Sequence, residues 1–254
     1  MKIGYLNLGI TNSCNYQCIM CSHHDHIHTF GNPNKKCLEF HKRKKGFIDF
    51  KIVKKLFEEF VEDKDEGKNI VLQWIGEALM HPQFDEILEY VCKINYEYKI
   101  FDNLTINTNG YYFDKKTCDL FINLIDKYKQ RITITFSMEG IKSETYKKIK
   151  QTDREINEIN DNIKYLIRES KKVKNKCNVL IQCLVMLENC DELKEFKEYW
   201  VEFFEKEKLK FKTVFDYYHS SPDINYYIAF RKTDGPPIQK QLDYEYSKAK
   251  VILK

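Results

Sequence analysis

An α/β fold built on a parallel sheet is expected from three observations. Strand-like and helix-like runs alternate along the chain, giving six predicted strands. The run from Asn178 to Leu187 is almost continuously apolar, as in a parallel strand covered on both faces. Residues of chemical rather than packing value (cysteines, Gly-Glu, Asn and Ser-x-Glu) recur where predicted strands end, which is where parallel α/β barrels collect their chemistry. Six strands with right-handed crossovers fall short of the eight that close a barrel, so an open or partial barrel is predicted.

Tyr5 to Ile10 reads as the first strand, and Thr11 to Gly46 as a long irregular connection. Loops beyond about 15 residues in a compact domain are usually functional. Asp49 caps a helix whose apolar residues Phe50, Val53, Leu56, Phe57, Phe60 and Val61 form one stripe, with Gly67 closing it. Asn69 to Trp74 is the second strand, followed by Gly76-Glu77-Ala78-Leu79-Met80-His81-Pro82 and a helix burying Phe84, Ile87, Leu88 and Val91. Leu104 to Asn107 makes a third strand, Lys115 to Tyr128 a helix, and Ile132 to Phe136 a fourth strand. Two helical pieces follow, Ser143 to Lys150 and one with Ile156, Ile159, Ile163, Leu166 and Ile167 on one face. After the fifth strand, Leu193, Phe196, Trp200, Phe203 and Phe204 recur at helical spacing and are expected in the core. Leu209 to Phe215 is the sixth strand. Residues 216–254, with Pro222 and Pro236-Pro237, are expected to be an extension made of an extended segment and a short helix.

With 43% hydrophobic and 31% charged residues, the chain of 254 residues suits a globular protein with one sizeable core or a core and an appendage. No apolar run approaches the roughly 18 residues of a membrane span, and no export segment opens the sequence. With nine cysteines, this leads to the expectation of a reducing cytoplasm and no membrane partner. Lys+Arg 42 against Asp+Glu 38 gives a net charge of +4, which selects no partner class. The runs Lys42-Arg43-Lys44-Lys45 and Lys171 to Lys176 lack the aromatic interleaving of single-strand binders, so nucleic acid is not expected.

Between the first strand and the first helix lies Cys14-Asn15-Tyr16-Gln17-Cys18-Ile19-Met20-Cys21, a C-x3-C-x2-C spacing. Soft thiolates gathered this way select iron–sulfur clusters, zinc or copper(I). Three thiolates on a four-iron cluster leave one iron open, as substrate chemistry at a metal requires. Zinc with a fourth ligand from His23, His24, His26 or His28 is the competing reading. A structural zinc site normally brings a second pair of ligands a dozen or more residues away, and no second cysteine pair is present.

The octet, with the preceding "YLNLGITNSCN", resembles the signature of the radical SAM (S-adenosylmethionine) enzymes. The resemblance implies a (β/α)6 partial barrel over residues 1–215, with 216–254 as an extension. It implies a [4Fe–4S] cluster on Cys14, Cys18 and Cys21, and S-adenosyl-L-methionine on the open iron, cleaved to a 5′-deoxyadenosyl radical that abstracts hydrogen. "WIGEALMHP" is similar to the family's strand-two motif, which assigns Gly76 and Glu77 to the cofactor's amino group; Ala78 stands where proline is usual. "TINTNG" resembles the third strand end, placing Asn107 and Thr108 near ribose. "TFSMEG" resembles the fourth, placing Ser137 near ribose or carboxylate, with Glu139 replacing the more frequent aspartate. Met20 falls where a residue lies beside adenine, and Lys150 where an arginine often meets the cofactor carboxylate. For Asn109-Gly110, ordinary turn chemistry is the expected role.

Related members with this motif style carry a C-terminal cysteine-rich SPASM or twitch extension. Here the last cysteine is Cys190, and Cys92, Cys118 and Cys183 are expected as small core hydrophobes, so a single cluster is predicted. The motif style implies a peptide or small-metabolite substrate and an electron donor such as flavodoxin or ferredoxin. A glycyl-radical-enzyme activase, an RNA-modifying enzyme and a zinc-stabilised binding module are the other readings.

Overall fold

Local chemistry starts and stops the helices. Asp49 accepts the Lys51 N–H on its carboxylate at 2.8 Å, and Asp114 does the same for Thr117 at 2.8 Å, each satisfying an amide that the first turn leaves open. The computed structural model describes residues 2–21, 44–174, 177–215, 224–232 and 239–253. The histidines at 23, 24, 26 and 28, Cys37, the first half of the Lys42 to Lys45 run and the prolines at 222, 236 and 237 lie outside them. In order the elements are β1 (Lys2–Asn7), α1 (Phe50–Glu62), β2 (Glu66–Val71), α2 (Phe84–Tyr98), β3 (Phe101–Thr108), α3 (Lys115–Tyr128) and β4 (Ile132–Ser137). Then come α4 (Ser143–Lys150), α5 (Ile156–Ser170), β5 (Cys177–Val185), α6 (Leu193–Lys206), β6 (Phe211–Phe215), β7 (Tyr226–Lys232) and α7 (Gln239–Ile252).

The strands form one seven-stranded sheet in the order β1-β2-β3-β4-β5-β7-β6. β1 with β2, β2 with β3 and β6 with β7 are parallel, in registers that set Tyr5 beside Asn69 and Asn69 beside Asn103. Two expectations are corrected. The sheet has seven strands rather than six; the seventh, β7, comes from the 216–254 extension, expected to hold an extended segment and a short helix. Gly67 does not close α1 but lies inside β2; Lys64, at φ 53°, turns the chain instead. Lys99, Lys129 and Gln151 likewise close their helices in the left-handed region, a position where glycine is the common choice.

The chain divides into two compact units. The first is Met1–Asn15, Lys45–Thr135 and Asp161–Val179; the second is Tyr16–Lys44, Phe136–Asn160 and Leu180–Lys254. The first unit buries Val53 and Phe57 of α1, Ile87 and Val91 of α2 and Phe121 and Ile125 of α3 against Leu104, Ile106, Ile132 and Ile134 of the sheet. The second buries Phe196, Trp200 and Phe204 of α6 with Tyr227 and Phe230 of β7. The aromatic stripe of α6 is therefore core, as its spacing predicts.

In the first unit the two faces of the sheet differ in kind. Leu104, Ile106, Ile132 and Ile134 are the helix-covered face, while the alternating residues on the other are Asn69, Asn103, Thr105, Thr133 and Asn178. These polar groups form a ladder across four strands. Asn103 Nδ2 donates to Asn69 Oδ1 at 2.6 Å and to Thr105 Oγ1 at 3.0 Å; Thr133 Oγ1 donates to Asn103 Oδ1 at 3.1 Å; Asn178 Nδ2 donates to Thr133 Oγ1 at 3.2 Å. Barrel interiors are usually packed with branched aliphatic side chains. This face carries uncharged amides and hydroxyls, and Asn178 shows that β5 is not apolar on both sides.

Candidate functional site

In the first unit, the end of β2 is pinned to the start of the cysteine segment. Glu77 N donates to Ser13 O at 2.8 Å, and Gln73 Nε2 donates to Gly76 O at 3.1 Å. Gly76 sits at φ 97°, and a Cβ there would lie 2.6 Å from Ser13 O and 2.9 Å from Thr11 O. Only glycine fits this close approach of two backbones. Gly76→Ala is expected to cost at least about 2 kcal/mol from the φ alone, more with the clash. At roughly 2–4 °C per kcal/mol for a chain of this size, thermal unfolding should show a fall of about 5–10 °C. An unchanged melting temperature would contradict this packing.

The Glu77 carboxylate is buried (3% exposed) and caps the short turn Ala78–Met80, accepting from Leu79 N at 3.4 Å. It also reaches the end of β3, where Thr108 Oγ1 donates to Oε1 at 2.9 Å and Asn109 N donates to Oε2 at 2.8 Å. Each carboxylate oxygen can accept more than one hydrogen bond, so the group keeps acceptor capacity beyond these. Asn107 Nδ2 is held by Gln73 Oε1 at 3.0 Å. Asn109 Nδ2 donates to Asn15 Oδ1 at 2.9 Å and reaches Cys14 Sγ at 3.9 Å. The hydroxyl of Tyr112 has a raised pKa, first from burial and then from electrostatic interaction with Tyr111, Glu77 and Cys14. Gly76, Glu77, Asn107 and Cys14 thus belong to one hydrogen-bonded neighbourhood. Sequence reasoning singles out all four but leaves Asn109 as a turn residue.

In the second unit, Cys18 to Cys21 form a tight turn closed by Cys21 N donating to Cys18 O at 2.9 Å, with Met20 at its corner. Ile19 N donates to Ile149 O at 2.9 Å, which ties the turn to the last residues of α4. Tyr16 anchors the segment: it is 1% exposed and packs edge-on against Tyr146, their hydroxyls 3.4 Å apart. Lys150, at the end of α4, is buried and forms an ion pair with the fully buried Glu139. Burial opposes the lysine charge, but the Glu139 carboxylate and the Cys18 sulfur outweigh it and hold its pKa above the ordinary range. Ser137 ends β4 and is half-buried.

The loop carrying Glu139 is clipped by two residues that sequence reasoning does not find. Asn189 Nδ2 donates to Glu139 O at 2.9 Å, and Glu192 accepts from Ile141 N and Lys142 N at 3.3 Å each and from the Thr145 hydroxyl. Both contacts span about 50 residues of sequence, and neither residue belongs to a recognisable motif.

None of the described cysteines is in a disulfide, and Cys14, Cys18 and Cys21 are each half-buried. Cysteine thiolates are the donors an iron–sulfur cluster takes, and these three are free of disulfides, so the residues present fit by donor type the group that the spacing implies. Among the described residues no three His, Cys, Asp or Glu side chains are gathered closely enough to hold a lone metal ion. What commends the three cysteines is therefore their chemistry and spacing. Cys92 is in contrast buried, its thiol pushed up to about 12 by burial and then by Glu89, and Cys177 reaches about 12 by burial alone. No helix among the described residues is long and apolar enough to cross a membrane.

Comparison with known proteins bears on the family and the fold. A curated relative, the antilisterial bacteriocin subtilosin biosynthesis protein AlbA of Bacillus subtilis (strain 168), is 34% identical over 71 residues, which is 28% of this chain and 14% of that protein. Among solved structures, anSMEcpe with bound AdoMet superposes with a TM-score of 0.55 at 14% identity, over 93% of this chain and 51% of that one. HydG, a maturase of the [FeFe]-hydrogenase, gives 0.56 at 11% identity, over 99% of this chain and 50% of that one. The radical S-adenosylmethionine methyltransferase TsrM from Kitasatospora setae gives 0.52 at 12% identity, over 79% and 34%. At these identities the structural likeness speaks to fold alone, and the chain spans about half the length of the first two structures. The sequence profile of the Radical SAM superfamily matches residues 8–199, a stretch that takes in the three cysteines, Gly76-Glu77, Asn107 and Ser137. With the α/β sheet those partial-barrel enzymes share and a family match over most of its length, the chain belongs to the Radical SAM superfamily, whose members are enzymes that use a [4Fe–4S] cluster and S-adenosylmethionine.

Proposed function

We propose that this chain binds its cluster through Cys14, Cys18 and Cys21 and abstracts hydrogen from a peptide or small-metabolite substrate. The observation that carries the reading is the family match over residues 8–199. When bound, the cluster and S-adenosylmethionine supply reductive cleavage of a carbon–sulfur bond and a 5′-deoxyadenosyl radical. The protein's part is to bind, orient and shield. Glu77, fixed by Thr108 and Asn109, offers an oriented carboxylate to the cofactor's ammonium group. Gly76 lets the backbone come close to it. Asn107, its Nδ2 committed to Gln73, keeps its carbonyl oxygen as an acceptor for a ribose hydroxyl. Ser137 serves ribose or carboxylate, Met20 packs beside adenine, and Lys150 supplies positive charge toward the cofactor carboxylate. The electron comes from a donor such as flavodoxin or ferredoxin.

Two observations bear on the substrate, one on its polarity and one on its class. The polar ladder from Asn69 to Asn178 offers amides and hydroxyls without charge. The stretch shared with AlbA belongs to a protein of bacteriocin biosynthesis, which favours a peptide. The test is anaerobic reconstitution with iron and sulfide quantitation, followed by reduction with dithionite in the presence of S-adenosylmethionine. About four irons per chain and slow release of 5′-deoxyadenosine are expected. One zinc per chain, no iron after reconstitution and no cleavage would overturn the reading in favour of a zinc-stabilised binding module.

A further inference from the structure

We propose that Asn109 is a positioning residue for Cys14: its side-chain amide donates toward the sulfur and raises the reduction potential of the cluster that Cys14 ligates. The inference rests on the cluster reading above. Asn-Gly at a strand end is ordinary turn chemistry, and one of Asn109's bonds is just that, with Oδ1 accepting the Tyr111 N–H at 2.9 Å. Turn chemistry does not account for the other end of the side chain. Nδ2 is directed back across more than ninety residues of sequence, with one N–H on Asn15 Oδ1 at 2.9 Å and the sulfur of Cys14 at 3.9 Å.

The side chain is held in place from three directions. Its own backbone N–H is bound by Glu77 Oε2 at 2.8 Å, its Oδ1 by Tyr111, and its Nδ2 by Asn15. The residue is 7% exposed, so water competes little for the sulfur. Thr108, the preceding residue, is gripped by the same Glu77 carboxylate and accepts the Gly110 N–H at 3.0 Å. Glu77 is thus a strut between the ends of β2 and β3, and the strut sets where the Asn109 amide points. An N–H donor toward a ligating sulfur stabilises the extra negative charge of the reduced cluster, and such outer contacts set potential and hold ligands in orientation.

Asn109→Ser and Asn109→Asp separate the donor from the turn. Both retain an oxygen that can accept the Tyr111 N–H, and both lose the amide donor. The measurement is an EPR-monitored redox titration of anaerobically reconstituted protein without S-adenosylmethionine, alongside iron and sulfide content. At a fixed potential near the wild-type midpoint, the reduced-to-oxidised ratio should fall about tenfold in both variants, equivalent to about 59 mV for one electron. Loss of iron from both at wild-type melting temperature also supports the proposal, because Cys14 then needs the donor to hold the cluster. An unchanged midpoint at full iron content overturns it, as does a fall confined to Asn109→Asp, which would report the added charge. Failure of both variants to fold assigns Asn109 to the fold alone. Wild-type protein that takes up no iron removes the cluster reading itself, a result distinct from all of these.

Discussion

Replacing Cys18 by alanine is expected to abolish iron uptake and 5′-deoxyadenosine release while leaving the fold standing. The segment around it is anchored by other groups: the Tyr16 ring against Tyr146, Ile19 N on Ile149 O, and the backbone turn between Cys18 and Cys21. None of these uses the Cys18 side chain, so the apo-protein should unfold within about 1 kcal/mol of wild type, as for other substitutions that leave core and caps intact. The chemical loss should be far greater. Removing an outer-shell partner of a metal ligand costs roughly 10–100-fold, and removing one of three ligands should exceed that. Lys150 sets Cys18 apart from the other two cysteines, since the Cys18 sulfur acts with the Glu139 carboxylate to hold the lysine's pKa above its ordinary range. Cys92→Ala is the control. Cys92 is a buried core thiol held well above the neutral range, so its loss should lower stability and leave iron content near four per chain. Iron retained by Cys18→Ala, or lost equally from Cys92→Ala, would sink the ligand assignment.

The alternation of strand and helix was legible because apolar periodicity is a local property. The stripe of Val53, Phe57 and Phe60 or of Phe196, Trp200 and Phe204 needs no knowledge of what lies opposite. The seventh strand was hidden because "YYIAFRK" lies among prolines and tyrosines, and its place between β5 and β6 is a long-range fact. β2 starts at Glu66 rather than Asn69 because its first residues alternate exposed and half-buried, so Glu66 and Lys68 sit in water within a strand. The Asn178 to Leu187 run reads as almost continuously apolar because the polar ladder takes only Asn178 from the start of β5. Site residues split the same way. Cys14, Cys18, Cys21, Gly76 and Glu77 come as short motifs whose spacing is itself the signal. Asn109, Asn189 and Glu192 act through contacts made across dozens of residues, and a single sequence holds no trace of such pairings. For Lys150, the charge was visible and its partner Glu139 was not.

Breaking the Glu139–Lys150 pair should give the largest loss of stability of any change near the site. Both side chains are removed from water, with Lys150 1% and Glu139 0% exposed, so either one alone is an uncompensated buried charge. Loss of one partner of a buried pair costs about 3–5 kcal/mol. For a chain of this size that corresponds to a fall of roughly 10 °C in melting temperature for Glu139→Ala and for Lys150→Ala. The apolar double variant Glu139→Leu/Lys150→Met should recover most of it, because desolvating two charges is itself expensive and their removal together is often neutral. Additive single effects in this cycle would show that the two groups do not act as a pair. The double variant also tests the role proposed for Lys150 in cofactor binding, free of the stability defect. If Lys150 meets the carboxylate of S-adenosylmethionine, the stable, cluster-loaded double variant should bind the cofactor at least about tenfold more weakly, the worth of one charge-assisted hydrogen bond. Undiminished cofactor affinity would instead confine the lysine to neutralising Glu139 and accompanying the Cys18 sulfur.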